Sequence, residues 1–235
     1  ALHDAADRGV HVRILVDGME SWIDMEGNPY FYGLSSHENV EIKLYNKANP
    51  LKPWKTMGRM HDKYLIADGK IYILGGRNTY NYFLGDFPGH KNFDRDVLVV
   101  CDEPQKDNSV NQLWNYFETI WEQEDCRYFH NSKKLADRQS VKKAVLELQE
   151  GYQQYFEVNK EKICDTDYAD ETFETEKITL LSNPIHTQAK EPVVWYQLGE
   201  LMKNAKERVK IHTPYIICND MMYNTWEEIA QKVPD

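Results

Sequence analysis

The sequence predicts an α/β sandwich with a mixed sheet, and three features of the 235 residues predict it. Short apolar segments with strand-like alternation recur along the chain, for example in residues 40–46. Between them lie segments such as residues 109–124, in which apolar residues recur every three or four positions, as in an amphipathic helix. The composition, with 41% hydrophobic and 28% charged residues, is that of a globular protein. Alternating strands and helices indicate layers of helices on a sheet.

The predicted elements of the first part begin with a helix at residues 1–8, which ends before Gly9. A buried strand follows at Val10–Asp17, and the Gly and Pro residues of residues 27–33 indicate a loop. The dipeptide Asp68-Gly69 is a strong turn signal between two apolar strands. The remaining predicted elements are strand Val40–Asn46, a Pro-rich loop at residues 47–55, strands Lys63–Asp68 and Lys70–Gly76, strand Asp96–Asp102 and a helix at residues 109–124.

The chain beyond residue 130 divides into a connector and a further α/β segment. We interpret residues 131–175 as a helical and acidic connector whose apolar stripe packs against a core. This stripe consists of Val141, Val145, Leu148, Tyr152 and Phe156. The predicted elements after it are a strand at residues 177–183, a helix at 191–206, a strand at Arg208–Ile217 and a helix at 219–232. The predicted domains are therefore residues 1–130, 131–175 and 176–235.

Charge and cysteine usage narrow the classes of partner. The formal net charge is −10, and a strongly acidic surface repels nucleic acid, so a broad nucleic-acid-binding face is not expected. The four cysteines lie far apart and form no Cys-x-x-Cys pair, which disfavours a zinc site and a disulfide framework. We expect free thiols at Cys101, Cys126, Cys164 and Cys218.

One segment carries a chemical motif with fixed spacing. His61 and Lys63 stand two residues apart, Asp68 follows at a distance of five, and Gly75-Gly76-Arg77-Asn78 comes after the next strand. In an extended chain, residues two apart point to the same face, so His61 and Lys63 are expected to converge on one spot. An imidazole beside an ammonium suits attack on a phosphodiester, whose negative charge repels a nucleophile unless a cation offsets it.

The neighbouring residues suit the same chemistry. Lys63 supplies a compact positive charge, and Asn78 can donate a hydrogen bond to a non-bridging phosphate oxygen. Gly75 and Gly76 have no side chains, so the backbone can come close to a ligand. A neutral His61 can form a covalent phosphohistidine, which divides one displacement into two easier steps. No cluster of metal-ligand residues accompanies the motif, so we expect no metal and no cofactor.

The segment MHDKYLIADGKIYILGGRN resembles the HKD motif of the phospholipase D superfamily. Together with FDRDVLVV further along, it is most similar to the bacterial cardiolipin synthase branch. The resemblance covers most of residues 1–130 and about residues 176–225. It implies a phospholipase D-like α/β/α sandwich, with a nearly complete first lobe that lacks one strand before residue 1. The second lobe would be truncated after its start.

The resemblance also implies roles for individual residues. His61 would be either the nucleophile or the acid/base partner, and Lys63 and Asn78 would bind phosphate. Asp68 would support the motif loop without touching substrate, although its place before Gly69 also explains it as a turn residue. Asp96 matches the carboxylate that orients the motif histidine, a role that fixes the tautomer of the imidazole.

Only one HKD motif is present, although enzymes of this superfamily use two at a shared cleft. One histidine attacks while the other protonates the leaving alcohol. The second half-site is therefore expected from a C-terminal region that would follow Asp235, or from the partner in a dimer. The isolated chain is then expected to be inactive.

The resemblance implies a phosphatidyltransferase that joins two phosphatidylglycerol-like phospholipids into cardiolipin. A phospholipase D hydrolase, a nuclease-type phosphodiesterase and a non-catalytic phosphate-binding module are the alternatives. The parent protein would be cytoplasmic or membrane-associated and would work at a membrane surface, whereas this chain is expected to be soluble.

Three residues near the motif or in the second lobe have two interpretations each. Trp54 and Tyr80 would either line the cleft or pack in the core, and His212 would either line the cleft or be a core or rim residue. Arg77 is expected in a salt bridge.

Overall fold

The fold is described from a computed structural model. It describes residues 1–47, 49, 51–80, 83, 88–89, 92–101, 107–186, 189–213 and 215–233. The chain forms two compact units, Ala1–Leu180 and Leu181–Asp235. Helices are combined with sheets that contain parallel and antiparallel pairs, so the predicted α/β class is confirmed.

The first unit contains two sheets of three strands each and most of the helices. Its strands are β1 Val12–Asp17, β2 Val40–Tyr45, β3 Tyr64–Ala67, β4 Ile71–Gly75, β5 Asp96–Val100 and β6 Cys126–Tyr128. Its helices are α1 Leu2–Asp7, α2 Gly18–Asp24, α3 Pro29–Ser35, a 3-10 helix at Pro53–Met57, α4 Ser109–Trp121, α5 Lys133–Ala136, α6 Gln139–Lys160 and a π-helical turn at Glu161–Asp165.

The first sheet has the order β1-β2-β6, with β1 and β2 parallel and β6 antiparallel. Its apolar strand β2 is buried along nearly its whole length, as the alternation of Val40, Ile42 and Leu44 predicts. These side chains form a core with Tyr32 from α3 and Val141 from α6. Burial of such a cluster supplies the main driving force for this half of the unit.

The second sheet is an antiparallel meander, β3-β4-β5. The turn between β3 and β4 contains Asp68 and Gly69, both with positive φ, +53° and +66°. Two successive positive φ values match a turn whose twist fits that of the flanking strands, and Asp-Gly accommodates them at low cost. The predicted hairpin is therefore confirmed.

Helix α4 contacts both sheets. Val110 and Leu113 pack on Tyr72 and Val99 of the second sheet. At the other end of the helix, the carbonyl of Trp121 accepts a hydrogen bond of 2.8 Å from the buried amine of Lys43 on β2. Because one rigid helix touches both sheets, it fixes their relative position within the first unit.

Several predicted loops contain short helices. Residues 27–33, predicted as a loop, belong largely to α3, so that prediction is wrong. Asn28 caps this helix by accepting from the backbone of Tyr30, and Pro29 occupies the first turn, where a missing N–H costs nothing. The Pro-rich loop contains the 3-10 helix, and its residues Ala48 and Pro50 lie outside the described residues.

Two predicted strands are not strands in the structure. Residues 177–183 and the described part of Arg208–Ile217 have no regular secondary structure, so both predictions are wrong. A strand needs a hydrogen-bonded neighbour, and the N–H of Leu180 instead donates to the side chain of Gln112 at 3.3 Å. Ile216 and Ile217 are 68% and 84% exposed. Pro214, like Asp102 of the predicted strand Asp96–Asp102, lies outside the described residues.

The second unit contains two helices, α7 Val193–Lys203 and α8 Asp220–Lys232, at the places predicted for them. The indoles of Trp195 and Trp226 pack edge to face between these helices, with ring centroids 5.4 Å apart. The helix predicted in the connector is also present as α6, and Val141, the first residue of its stripe, is buried in the core. No described helix is both long enough and apolar enough to span a membrane.

Replacement of Gly18 by alanine tests a close backbone approach at the end of β1. A Cβ at Gly18 would lie 2.5 Å from the carbonyl oxygen of Tyr45 and 2.6 Å from the backbone of Lys47. We expect Gly18→Ala to lower the free energy of unfolding by about 1–3 kcal/mol in a denaturant titration. Gly151→Ala is the control, because a Cβ there meets nothing within 4 Å inside helix α6. It should stabilise the protein by about 0.5–1 kcal/mol, and equal effects of the two changes would contradict the account.

Candidate active site

The predicted site residues, Asp68 excepted, gather at one edge of the second sheet. Strand β4 ends at this edge, whereas β3 and β5 begin there. The N–H of Gly75 donates to the carbonyl of Lys63 at 3.1 Å, and Gly75 pairs with Asp96 on its other side. His61 and Asn78 lie on the chain just beyond this edge. The residues at the edge are His61, Lys63, Gly75, Gly76, Asn78 and Asp96.

Asp68 lies at the opposite end of the hairpin. It occupies the turn between β3 and β4, with a φ of +53°, and it is exposed. Five residues of extended chain place it roughly 16 Å from Lys63. The structure therefore does not bring Asp68 to the other site residues, and its position is that of a turn residue.

The side chains of residues 61–63 are held by different neighbours. The carboxylate of Asp62 accepts a hydrogen bond of 2.6 Å from the hydroxyl of Tyr116 on α4. The amine of Lys63 donates to the carbonyl of His61 at 2.6 Å. Burial and this bond to Asp62 raise the pKa of Tyr116, so the hydroxyl stays a donor. The hydrogen bond from Tyr116 thus connects Asp62 to α4, while the lysine amine lies against the backbone carbonyl of His61.

Lys63 is a partly desolvated cation. Burial lowers its pKa, while the negative charges of Asp62 and Asp94 act in the opposite direction. Within the described part of the chain, no carboxylate lies at ion-pair distance from its amine. A cation that has lost part of its hydration attracts an incoming anion more strongly than a fully solvated one. The arrangement suits Lys63 to binding a phosphate.

Gly75 and Gly76 leave room for two carboxylates. A Cβ at Gly75 would clash with the carboxylate of Asp96. A Cβ at Gly76 would lie 2.8 Å from an oxygen of Asp94. The space above both glycines is therefore taken by protein side chains, whereas the sequence suggested that a ligand approaches there. Asp94 was missed from the sequence, and its only signal is its place two residues before Asp96.

Asp96 forms an ion pair with Arg77, whose Nε lies 2.7 Å from its carboxylate. The predicted salt bridge of Arg77 is thus confirmed. Arg77 also donates to the carbonyls of Phe83 and Asp94, at 2.7 and 3.1 Å. It thereby connects the chain after β4 with the start of β5. Between the described side chains of Asp96 and His61 no hydrogen bond is formed.

Asp17, which is not among the predicted site residues, holds the two residues before His61 against the first sheet. It is the last residue of β1, and its side chain is only 9% exposed. It caps α2 by accepting from the backbone of Met19 and Glu20. It also accepts from Nε of Arg59 at 2.9 Å and from the backbone N–H of Met60 at 2.9 Å. The available signal was an Asp between a buried strand and a helix start.

The charge state of Asp17 follows from these contacts. Burial acts to raise its pKa, but the hydrogen bonds from Arg59, Met60, Glu20 and Met19 outweigh it and lower the pKa. Asp17 is therefore ionised at neutral pH and holds the residues directly before His61. It is a positioning residue, since it acts on the motif through the backbone.

The two aromatic residues near the motif are exposed. Trp54 is 71% exposed in the 3-10 helix, and Tyr80 is 46% exposed, with its hydroxyl 3.2 Å from a carboxylate oxygen of Asp24. Neither side chain packs in the core, so that alternative is wrong for both. His212, in the second unit, is also exposed, which excludes a core position.

His3, Asp7 and His37 form a second polar cluster in the first unit. Their potential ligand atoms lie within 4.8 Å of one another. However, Nδ1 of His37 accepts the N–H of Asn39 at 3.0 Å, so the proton of the neutral ring is on Nε2, which faces Asp7 at 3.1 Å. A protonated nitrogen cannot ligate a metal. The cluster therefore suits a hydrogen-bond network better than a metal site.

Replacement of Asp17 by asparagine tests how much its hydrogen bonds with Arg59 and Met60 stabilise the fold. The amide NH₂ would face N–H donors of Arg59 or Met60, so we expect the free energy of unfolding to fall by about 2 kcal/mol at pH 7. Glu20→Gln is the matched control, because Glu20 also contacts Arg59, at 2.7 Å, but is exposed. Its cost should stay below about 0.5 kcal/mol.

The pH dependence of the free energy of unfolding, compared between wild type and Asp17→Asn, tests the charge state of Asp17. Because the folded pKa of Asp17 is lowered, its contribution is complete above the unfolded value of about 3.9 and is lost as the pH falls through the folded pKa. The difference between wild type and variant should therefore be constant from neutral pH to about pH 5 and shrink below about pH 4. A difference independent of pH would contradict an ionised Asp17.

Comparison with known proteins identifies the family. The family model described as "Cardiolipin synthase, PLD-like domain" matches residues 1–121. Cardiolipin synthase C of Escherichia coli (strain K12) is 30% identical over 114 residues, which are 43% of this chain and 22% of that protein. No solved structure matches the chain.

Two uncharacterized proteins from different strains of Helicobacter pylori are also similar. One is 26% identical over 259 aligned residues, which cover 98% of this chain and 48% of the relative. The other is 32% identical over 133 residues, which cover 51% of this chain and 26% of the relative. The chain thus spans at most about half the length of these curated relatives. Since the family model covers more than half of the chain, the protein belongs to the family of cardiolipin synthase, PLD-like domains.

Proposed function

We propose that the edge around His61 is one half-site of a phosphatidyltransferase of the phospholipase D type. The observation that carries this proposal is the partly desolvated amine of Lys63, which donates to the backbone carbonyl of the exposed His61. A phosphodiester placed there would find a cation for its charge and an imidazole for attack. The similarity to Cardiolipin synthase C supports a phospholipid as the substrate.

The proposed reaction has two displacements at phosphorus. A ring nitrogen of one motif histidine attacks the phosphorus of phosphatidylglycerol, the bond from phosphorus to the headgroup oxygen breaks, and glycerol leaves with a proton from the other motif histidine. The headgroup hydroxyl of a second phosphatidylglycerol then attacks the phosphatidyl-histidine and gives its proton to that other histidine. Cardiolipin forms and the histidine is released. No redox step and no metal are required.

The side chains around His61 have distinct roles in this proposal. Lys63 offsets the charge of the phosphate, and Asn78 donates to a non-bridging oxygen. Gly75 and Gly76 admit Asp96 and Asp94, which set the local charge next to Lys63. Asp96, held by Arg77, is proposed to orient His61.

A second half-site must supply the other histidine. We propose that it comes from a C-terminal region of the parent protein or from a second copy of the chain. Residues 1–130 would then form the first lobe, residues 131–175 a connector and residues 176–235 the start of the second lobe.

Water in place of the second alcohol would make the same site a phospholipase D hydrolase. This second candidate shares every step up to the phosphatidyl-histidine, and the product separates the two. A nuclease-type activity is disfavoured by the net charge of −10, because long-range repulsion opposes a polyanion. A phosphate-binding module without turnover would need the charge of Lys63 to bind phosphate but would not need His61.

The decisive variant is His61→Ala, tested with phosphatidylglycerol vesicles and the longest natural form of this chain. We expect cardiolipin formation to fall at least about 10³-fold, because the imidazole takes part in every turnover. Products are identified by mass spectrometry. The control is His11→Ala, because His11 is exposed and its ring contacts Glu41 instead of the site.

The product formed distinguishes a transferase from a hydrolase. Cardiolipin from the wild type alone supports the transferase, and phosphatidic acid supports the hydrolase. Near-normal activity of His61→Ala would remove His61 from the reaction.

Replacement of Asp68 by asparagine tests its position in the turn. Asparagine tolerates the left-handed conformation, so we expect turnover within about twofold of wild type and a stability change below about 0.5 kcal/mol. Asp68→Ala is the matched variant, since a Cβ without a polar group costs about 1–2 kcal/mol at positive φ. Loss of turnover in a stably folded Asp68→Asn would give Asp68 a chemical role.

A further inference from the structure

A short exposed segment precedes the motif histidine. Residues 51–57, here called the docking segment, contain the 3-10 helix Pro53–Met57. Leu51 is 85% exposed, Trp54 71% and Met57 84%. Three large apolar side chains within seven residues are unusual on a surface that water alone covers. We therefore expect a partner that buries these apolar side chains.

The charge around the docking segment differs from that of the chain as a whole. Residues 47–63 contain five basic residues and one acidic residue, whereas the chain has a net charge of −10. Lys47 and Lys55 are ion-paired with Glu26 and Asp125, each at 3.2 Å. No described carboxylate lies at ion-pair distance from the exposed Lys52. An unpaired cation among apolar side chains favours an anionic partner.

The docking segment is fixed relative to the motif. The side-chain amide of Asn46 donates to the carbonyls of Lys55 and Gly58, at 2.6 and 2.8 Å. The next residue, Arg59, is held by Asp17, and His61 follows two residues later. A surface that receives Trp54 and Met57 would therefore lie near His61 as well.

We propose that the docking segment inserts into the interface of an anionic phospholipid bilayer. Tryptophan prefers the headgroup level, Leu51 and Met57 reach the acyl boundary, and Lys52 pairs with lipid phosphates. The inference rests on the proposed function for the choice of a lipid bilayer over other anionic surfaces. It would bring phosphodiester headgroups to Lys63 without extracting a lipid from the membrane.

The acidic remainder of the protein does not oppose this docking strongly. At physiological ionic strength, charges further than a Debye length of about 8 Å are largely screened. The net charge of the chain is therefore largely screened at the bilayer surface, where Lys52 can still contact lipid phosphates. Apolar insertion is unaffected by salt, whereas the contribution of Lys52 weakens as salt rises.

The test is co-sedimentation with vesicles of phosphatidylcholine alone or mixed with phosphatidylglycerol in equal parts, using the longest natural form of the chain. We expect binding to the mixed vesicles, and a loss of about tenfold or more in affinity for the Trp54→Ser/Met57→Ser double variant. Lys52→Glu should weaken binding to the mixed vesicles only. Matched controls are Phe173→Ser, with an exposed side chain elsewhere, and Lys134→Glu, both of which should bind as the wild type does.

The outcomes separate this inference from the proposed chemistry. Trp54→Ser/Met57→Ser should keep the unfolding midpoint of the wild type, because both side chains are exposed. His61→Ala should bind vesicles normally even where it abolishes turnover, so a failure of the chemistry leaves the docking result readable. Wild-type binding by the double variant, or no binding of the intact protein, overturns the proposal. Reduced self-association of the double variant without lipid, with vesicle binding unchanged, would instead assign the segment to a second copy of the chain.

Discussion

The buried carboxylate of Asp17 accepts hydrogen bonds from the start of α2 and from Arg59 and Met60, the two residues before the motif histidine. The chain that enters the second sheet is also held by Asn46, which donates to the carbonyls of Lys55 and Gly58, and by Tyr116 of α4, which donates to Asp62. Because Asp17 ends a strand whose register with β2 is fixed, its oxygen atoms have a defined position. Asp17 therefore contributes directly to the placement of His61 relative to the first sheet.

The second constraint is the geometry of the hairpin β3-β4 and its neighbour β5. Gly75 pairs with Lys63 on one side and with Asp96 on the other. The cation of Lys63 and the carboxylate of Asp96 therefore lie on either side of a residue without a side chain. The glycines admit carboxylates that would otherwise clash, and Arg77 neutralises one of them. Lys63 is left partly desolvated. Lys63 can thus attract an anion although Asp62 and Asp94 lie nearby.

Sequence reasoning worked where the signal is local. The hairpin, β2 and helix α4 follow from alternation, an Asp-Gly turn and helical spacing, each of which depends on residues close in the chain. It failed for residues 27–33, where a cap and a first-turn proline outweighed the loop-forming glycines, and for the strands predicted at 177–183 and 208–217, which lack a pairing partner. Asp17 and Asp94 were missed because their roles arise from contacts between distant segments.

Amide hydrogen exchange at Met60, in wild type and Asp17→Ala, tests most directly whether Asp17 holds the motif segment. The account predicts that the variant loses protection at Met60 and loses turnover, while the amides of β2, such as that of Leu44, stay protected. Protection at Met60 and turnover that both match the wild type would contradict it, because the motif would then be held in place by other contacts.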